Sequence, residues 1–282
     1  MSAAAVPTVS GKNARVRAAA GVRALCAALV FGFLILPTLF IFPLALAKND
    51  VLAFPPQGIG WSHFAHVFTQ PLWRDAFLTS FQVCGLAALL ATIFGTLCAV
   101  VIPGGQRFLA KPLELTVVMP LIVPPVVLAV GWFDVFSRLH LVGHMIAVAI
   151  AYMFLGLPLV YLNVSASLAR LDRNVLRASR SLGGGALTTF VRVVLPLVAP
   201  GVIGGAVLTF VIAFDELIIA LFVGGGLVNT LPVVMWGQIN YVLSPDVAAA
   251  AAVSVVVNMI AAAILLVIWR LNRVRGGRAW RR

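Results

Sequence analysis

Only eight Asp and Glu occur among the 282 residues, and two are adjacent within an apolar run: Asp215 and Glu216 in VLTFVIAFDELIIALFV. A third acid, Asp134, lies near the end of another apolar run, VVLAVGWFDVFS. An acid held in hydrocarbon costs at least about 2.5 kcal/mol, so such a group faces a cavity or a partner. No Lys or Arg shares the run with Asp215 and Glu216, so their chemistry favours a positively charged partner. On a continuous helix, neighbouring residues are about 100° apart. Both acids border one path, or one lines it while the other is hydrogen-bonded. The competing reading is that these acids pair with Ser, Thr or Trp groups and serve packing, and it carries more weight for Asp134.

The second constellation is basic. Residues 170–196, RLDRNVLRASRSLGGGALTTFVRVVLP, hold five of the chain's Lys/Arg: Arg170, Arg173, Arg177, Arg180 and Arg192. Leu171, Val175, Ala178 and Leu182 fall along one helical stripe. Gly183, Gly184 and Gly185 then permit a tight turn, since glycine accepts positive φ at little cost. A second short helix over 186–194 is expected to end at Leu195-Pro196. A basic loop held on one side of a membrane accounts for the arginines alone. It does not account for the stripe, the turn and the stop in sequence, which suit a helix–turn–helix pressed against a partner protein.

No catalytic constellation appears beside these. There is no GxxxxGK[ST] loop, the Gly11-Lys12 pair being followed by Asn13, and neither HExxH nor GxSxG occurs. His140 and His144 lack a third ligand and read as interfacial histidines, and His63 and His66 read the same way, so no metal is expected. Cys26, Cys84 and Cys98 form no CxxC pair and read as small buried hydrophobes. Such a chain works by binding and moving. It binds no cofactor itself, and its energy comes from a partner.

The elements that must hold these groups follow from composition. The chain is 62% hydrophobic and 10% charged, whereas a soluble domain has about 25% charged residues. Apolar blocks long enough to cross a bilayer predict six spans, near 25–47, 76–102, 113–137, 144–167, 197–223 and 247–269. Pro120, Pro124 and Pro125 predict a kink in the third. The first resembles a signal peptide through its basic start and Ala45-Leu46-Ala47, but its apolar part is too long, so it reads as a retained span. Residues 61–68 form a short amphipathic helix in the first loop. An apolar piece at 231–242 is too short to span and dips partway into the membrane. With both termini on one side, seventeen of the twenty Lys/Arg share that side, leaving Lys48, Arg74 and Arg138 opposite. That asymmetry marks the shared side as cytoplasmic. The formal charge of +12 is thereby an orientation signal and not a nucleic-acid one, since no exposed aromatics interleave the charges. The expected layout is a disordered cytoplasmic tail (1–22), an all-α six-helix membrane domain (23–269) with the polar loop at 168–196, and a basic cytoplasmic tail (270–282).

The polar loop resembles the "EAA" loop of ABC-importer permeases, whose pattern is Glu-Ala-Ala, three residues, Gly, nine residues and Ile-x-Leu-Pro. Here Arg177-Ala178-Ser179, Gly183 and Val193-Val194-Leu195-Pro196 keep every spacing, with Arg177 in place of Glu and Ser179 in place of the second Ala. The resemblance implies a coupling segment seated in a cleft of a cytoplasmic ATPase subunit, with Arg173, Arg177, Ala178, Ser179, Leu182, Gly183, Val193, Leu195 and Pro196 as its residues. AFDELIIALFVGG followed by TLPVVMWGQINYVLSPDVAAAAAV is similar to spermidine/putrescine importer permeases. That similarity implies a polyamine path bordered by Asp215, Glu216, Asp134 and Trp236. Relatives carrying opines, aminophosphonates or metal chelates share much of the pattern. The implied fold is the six-helix type I importer (MetI-like) permease of a bacterial inner membrane. Its implied partners are a second, similar permease, two ATPase copies that hold ATP-Mg, a periplasmic or lipid-anchored solute-binding protein, and membrane lipid. An ion-coupled secondary transporter would also hold acids in the membrane, but would need no coupling segment.

Overall fold

The computed structural model describes residues 9–104, 107–241 and 244–279. Residues 1–8 and 280–282 of the expected tails, Gly105 of the Pro-Gly-Gly stop, and Val242 lie outside the described residues. The fold is all-α. Among the described residues, pairing of extended backbone is confined to one isolated bridge between Ala47 and Ile59.

Among the described residues, five helical stretches are long and apolar enough to cross a membrane: Ala20–Ala45, Pro71–Val101, Met145–Ala169, Ala186–Phe214 and Pro245–Ile268. They belong to α1 (Val9–Ala45), α3 (Pro71–Val101), α6 (Met145–Ala169), the run of α8 (Ala186–Thr189) into α9 (Leu195–Phe214), and α12 (Pro245–Ala279). Phe108–Leu121 and Pro125–Arg138 are long and apolar enough together but meet at 105°, the geometry of a broken span or of a re-entrant pair. These contain α4 (Arg107–Val118) and α5 (Pro125–Arg138). The chain is thus a polytopic membrane protein. The smaller helices are α2 (Ser62–Thr69), α7 (Arg173–Ser181), α10 (Ile218–Val223) and α11 (Leu231–Tyr241).

Three sequence expectations change. The tail is no coil from residue 9 onward: α1 begins at Val9 and runs through Arg23 into the span. Its Ala-rich, Arg-containing sequence favours helix. The third span is broken and not merely kinked. Pro124 stands directly before Pro125, and a residue before proline is pushed out of the helical region. It adopts φ −57° and ψ 139°, and α5 restarts with Pro125 at its first turn. Cys26 is exposed on α1, while Cys84 is buried and Cys98 half-buried.

The core is the trio α3, α6 and α9, which pack on one another more extensively than any other helices. Val160 of α6 is fully buried at their junction. A Cβ on Gly95 of α3 would stand 2.8 Å from the Val160 Cβ, and one on Gly205 of α9 would stand 2.6 Å from its Cα. Gly201, one turn before Gly205, approaches Asn163 and Ser167 in the same way. Apolar helices gain no hydrophobic drive from meeting in lipid, so close contact of small residues decides where they dock. Thr209, buried, completes the seam by donating its hydroxyl to the Gly205 carbonyl at 2.9 Å and lying against Gly156. Outside the core, α1 packs on α12, and its span is exposed along most of its length, with Ala45 at its end buried.

This seam makes a paired test. Gly205→Ala sets a methyl against backbone and is expected to cost about 1–3 kcal/mol. Gly204→Ala, whose Cβ meets only Asn163 Oδ1 at 3.7 Å, is expected to be near neutral. Thermal unfolding in detergent measures both.

Candidate functional site

The two adjacent acids do not share a helix. α9 stops at Phe214, Asp215 is its C-cap, and α10 starts at Ile218. The sequence expectation of a continuous span through both acids is corrected by this break. The break divides their work. Glu216 Oε1 accepts the backbone N–H of Ile218 at 2.8 Å and of Ile219 at 3.1 Å, so it caps α10 and satisfies two of its orphan donors. Tyr152 of α6, fully buried, donates its hydroxyl to the Glu216 carbonyl at 2.6 Å and ties the break to the core.

Asp215 is left free of such duty. Its Oδ2 accepts the side-chain amide of Asn258 on α12 at 2.8 Å, a neutral partner. The carboxylate lines a groove of about 300 Å³ between α1, the break, α11 and α12. Leu217, Met235, Trp236, Ile239 and Ser254 line it with Asp215. Trp236 is exposed on α11 and lines the same space. Among the described residues, neither Asp215 nor Glu216 forms a salt bridge. Asp134 is elsewhere, on exposed α5, where Arg138 one turn later holds it through two hydrogen bonds of 3.1 and 3.3 Å. It is not among the residues lining the groove.

At the opposite end of α9 the polar segment forms the expected helix and turn. Asp172 Oδ1 accepts the Asn174 N–H at 2.9 Å near the start of α7, which Arg173 opens. Gly183 turns the chain at φ 80°. Ser179 and Thr189 clasp the two arms through their hydroxyls at 2.9 Å, and Gly184 N–H donates to the Ser179 carbonyl at 2.9 Å. Leu171 and Leu176 turn inward over an apolar cavity of about 470 Å³ at the ends of α3 and α6. Arg177, Ala178, Val175 and Leu187 are exposed, and Leu182 is 89% exposed. Val193 and Leu195 are half-buried and Pro196 is exposed.

Pro196 does not stop a short helix, as the sequence suggested. The arm continues from Ala186 to Phe214 through a π-turn over Phe190–Val194, with Leu195 N–H bonding back to the Phe190 carbonyl. Proline disrupts a ladder because it lacks an N–H and its ring crowds the carbonyl four residues back. The wider π-turn directly before it accommodates both defects.

Sequence reading missed Asn258, Tyr152 and Ser254. Asn258 carried a usable signal, being an amide within the last apolar run. Tyr152 and Ser254 carried none, since each looks like an ordinary member of its helix.

With this geometry in view, similarities to known proteins can be placed. The model for the binding-protein-dependent transport system inner membrane component family matches residues 91–273. The spermidine/putrescine transport system permease protein PotC of Haemophilus influenzae is 25% identical over 246 residues, covering 86% of this chain and 94% of that protein. The molybdenum transport system permease protein ModB of Mycobacterium tuberculosis is 30% identical over 225 residues, covering 74% of this chain and 83% of that one. A chain from the crystal structure of a bacterial alginate ABC transporter aligns with TM-score 0.68 and 14% identity over 92% of this chain and 96% of its own. A chain from an inward-facing MetNI methionine ABC transporter aligns with TM-score 0.55 and 16% identity over 72% and 95%. These two likenesses are of fold.

The division of labour between the acids is testable in the isolated subunit. Glu216→Ala unpairs two N–H groups of α10 and is expected to cost about 0.5–2 kcal/mol in thermal unfolding. Glu216→Gln keeps an accepting oxygen and is expected to lose less than half of that.

Proposed function

The chain belongs to the binding-protein-dependent transport system inner membrane component family, the permeases of type I ABC importers, and from that premise we propose that it forms half of the path for a small organic cation of the spermidine/putrescine kind. As a member it is a transport subunit of a bacterial inner membrane and not an enzyme. The observation that carries the solute reading is Asp215: a carboxylate with one neutral partner, beside Trp236, in a groove that, among the described residues, no Lys or Arg lines. A carboxylate and an aromatic face are together what an alkylammonium recognises. A bare anion would meet that carboxylate as repulsion. The similarity to the PotC protein adds support, and the similarity to the ModB protein makes another solute the natural competitor. Of two further path residues proposed from sequence, Glu216 acts indirectly by shaping the break, and Asp134 is paired with Arg138 away from the groove.

The polar segment 168–196 is proposed as the coupling surface for a cytoplasmic ATPase. Exposed Val175, Leu182 and Leu187 beside Arg177 make an apolar, basic face of the kind a protein cleft covers. Arg177 stands where the family pattern has Glu, so its contact on the ATPase is acidic. On this reading the termini and this segment are cytoplasmic, and two ATPase copies hold ATP-Mg. A second, similar permease completes the path, and a solute-binding protein delivers to the far face. Closure of the ATPase pair displaces α7 and α8, the π-turn at 190–194 passes the motion to α9, and the break at 215 shifts in turn. Contact with solute stays weak, as passage requires.

The complex reconstituted in proteoliposomes tests both halves. Spermidine and putrescine are expected to stimulate ATP hydrolysis. Asp215→Asn is expected to lower polyamine uptake about tenfold or more, as loss of a charge-assisted bond of about 1.5–3 kcal/mol requires, with ATPase co-purification intact. Leu182→Asp is expected to abolish that co-purification. Stimulation by an opine, aminophosphonate or metal chelate and not by polyamines would overturn the solute reading alone. A Leu182→Asp protein that still holds its ATPase would overturn the coupling assignment.

A further inference from the structure

On the membrane face opposite the coupling segment, two histidines of α2 meet an acid of α12. His63 Nδ1 stands 2.5 Å from Asp246 Oδ1, and His66 Nδ1 stands 3.5 Å from the same oxygen. All three ligand atoms lie within 4.8 Å of one another. The rings are held edge to face, with centroids 5.9 Å apart at 88°. His63 is 2% exposed, and the Asp246 side chain is 15% exposed, so the carboxylate is largely shielded.

The hydrogen bonding of His63 is informative. Its Nε2 stands 3.2 Å from the backbone carbonyl of Asn49, which can only accept, so Nε2 carries the hydrogen. In the neutral ring Nδ1 then presents a lone pair, yet it faces a carboxylate. Lone pair against carboxylate is repulsive, so the pair calls for a positive species that binds both atoms. A proton would join His63 to Asp246 and leave His66 as a bystander. A metal ion engages all three groups. An imidazole bound to metal through one nitrogen and anchored to a backbone carbonyl through the other is how such ligands are ordinarily oriented.

We propose that His63, His66 and Asp246 form a divalent transition-metal site of the zinc class, which clamps α2 and the loop after α1 to the head of α12. Two imidazoles and one carboxylate suit zinc and its neighbours better than the oxygen-seeking calcium or magnesium. The histidines are three residues apart on one helix, so both reach the same side. Ligands at about 2.0–2.1 Å around a tetrahedral ion stand about 3.3 Å from one another. Loading therefore opens the His63 pair from 2.5 Å by about 0.8 Å and closes the His66 pair from 3.5 Å by about 0.2 Å. The fourth position is left to solvent. Sequence reading passed over this set because Asp246 lies 183 residues from His63.

The test uses the full chain in detergent, purified through a tag without histidine and stripped with a chelator. Titration with Co²⁺ alone is expected to give saturable, stoichiometric binding with the visible absorption of a tetrahedral site. Zn²⁺ is expected to compete for the site and raise the unfolding temperature. His66→Gln, whose side chain is 45% exposed, is expected to fold normally and bind at least about tenfold more weakly. Asp246→Asn should do the same. Absence of saturable binding would leave a proton as the bridging species and overturn the proposal. Binding undiminished in His66→Gln, or lost instead in His140→Gln with His144→Gln, would overturn it as well.

Discussion

The architecture depends on how closely three helices approach Val160. Gly95 on one side and Gly205 on the other remove the side chains that would hold α3 and α9 away from α6. In water such a core would be drawn together by the expulsion of solvent. In lipid that drive is absent, and contact at the backbone replaces it. The remaining helices are arranged around this trio. The span of α1 packs chiefly on α12 at the edge, and the two halves of the bent pair differ in their main neighbour, α4 on α6 and α5 on α10. A rigid centre with loosely held periphery suits a membrane component that must change shape without coming apart.

The site inherits its geometry from that centre. Tyr152 rises from α6 to hold the Glu216 carbonyl, so the break after α9 is anchored to the most tightly packed helix. Two acids that look equivalent in the chain thereby acquire different environments. Glu216 spends its oxygen on the backbone of α10, and Asp215 keeps its own for the groove. A helix break is costly in lipid unless its freed backbone groups find partners, and this one is permissible because a neighbouring side chain supplies them.

Much of this was legible in the sequence. Five of the six apolar blocks form spanning helices and the other forms the bent pair, the residues of the polar helix and turn fall where spacing places them, and Ser244-Pro245 does begin the last helix. What escaped was tertiary. Leu195-Pro196 reads as a stop, because propensity cannot foresee that five residues before it widen into a π-turn. Phe214-Asp215-Glu216 reads as continuous helix, because the cap and the Tyr152 bond that favour a break lie in side-chain geometry and in a helix 64 residues away. The proline pair at 124–125 announced a defect without its angle; the 105° turn reflects where each half found a surface to pack on.

The π-turn has a geometric consequence. It is one surplus residue in an otherwise helical rod, and each residue of such a rod is worth about 100° of azimuth. It therefore sets the phase between the two ends of the rod: which way the polar arm points when Asp215 faces its groove. Chain length between residues 194 and 215 then behaves as an angular setting, and insertions or deletions there swing one end off its target without disturbing a single apolar side chain's chemistry. Substitution rates along this stretch would understate how tightly it is constrained, because what is preserved is a count.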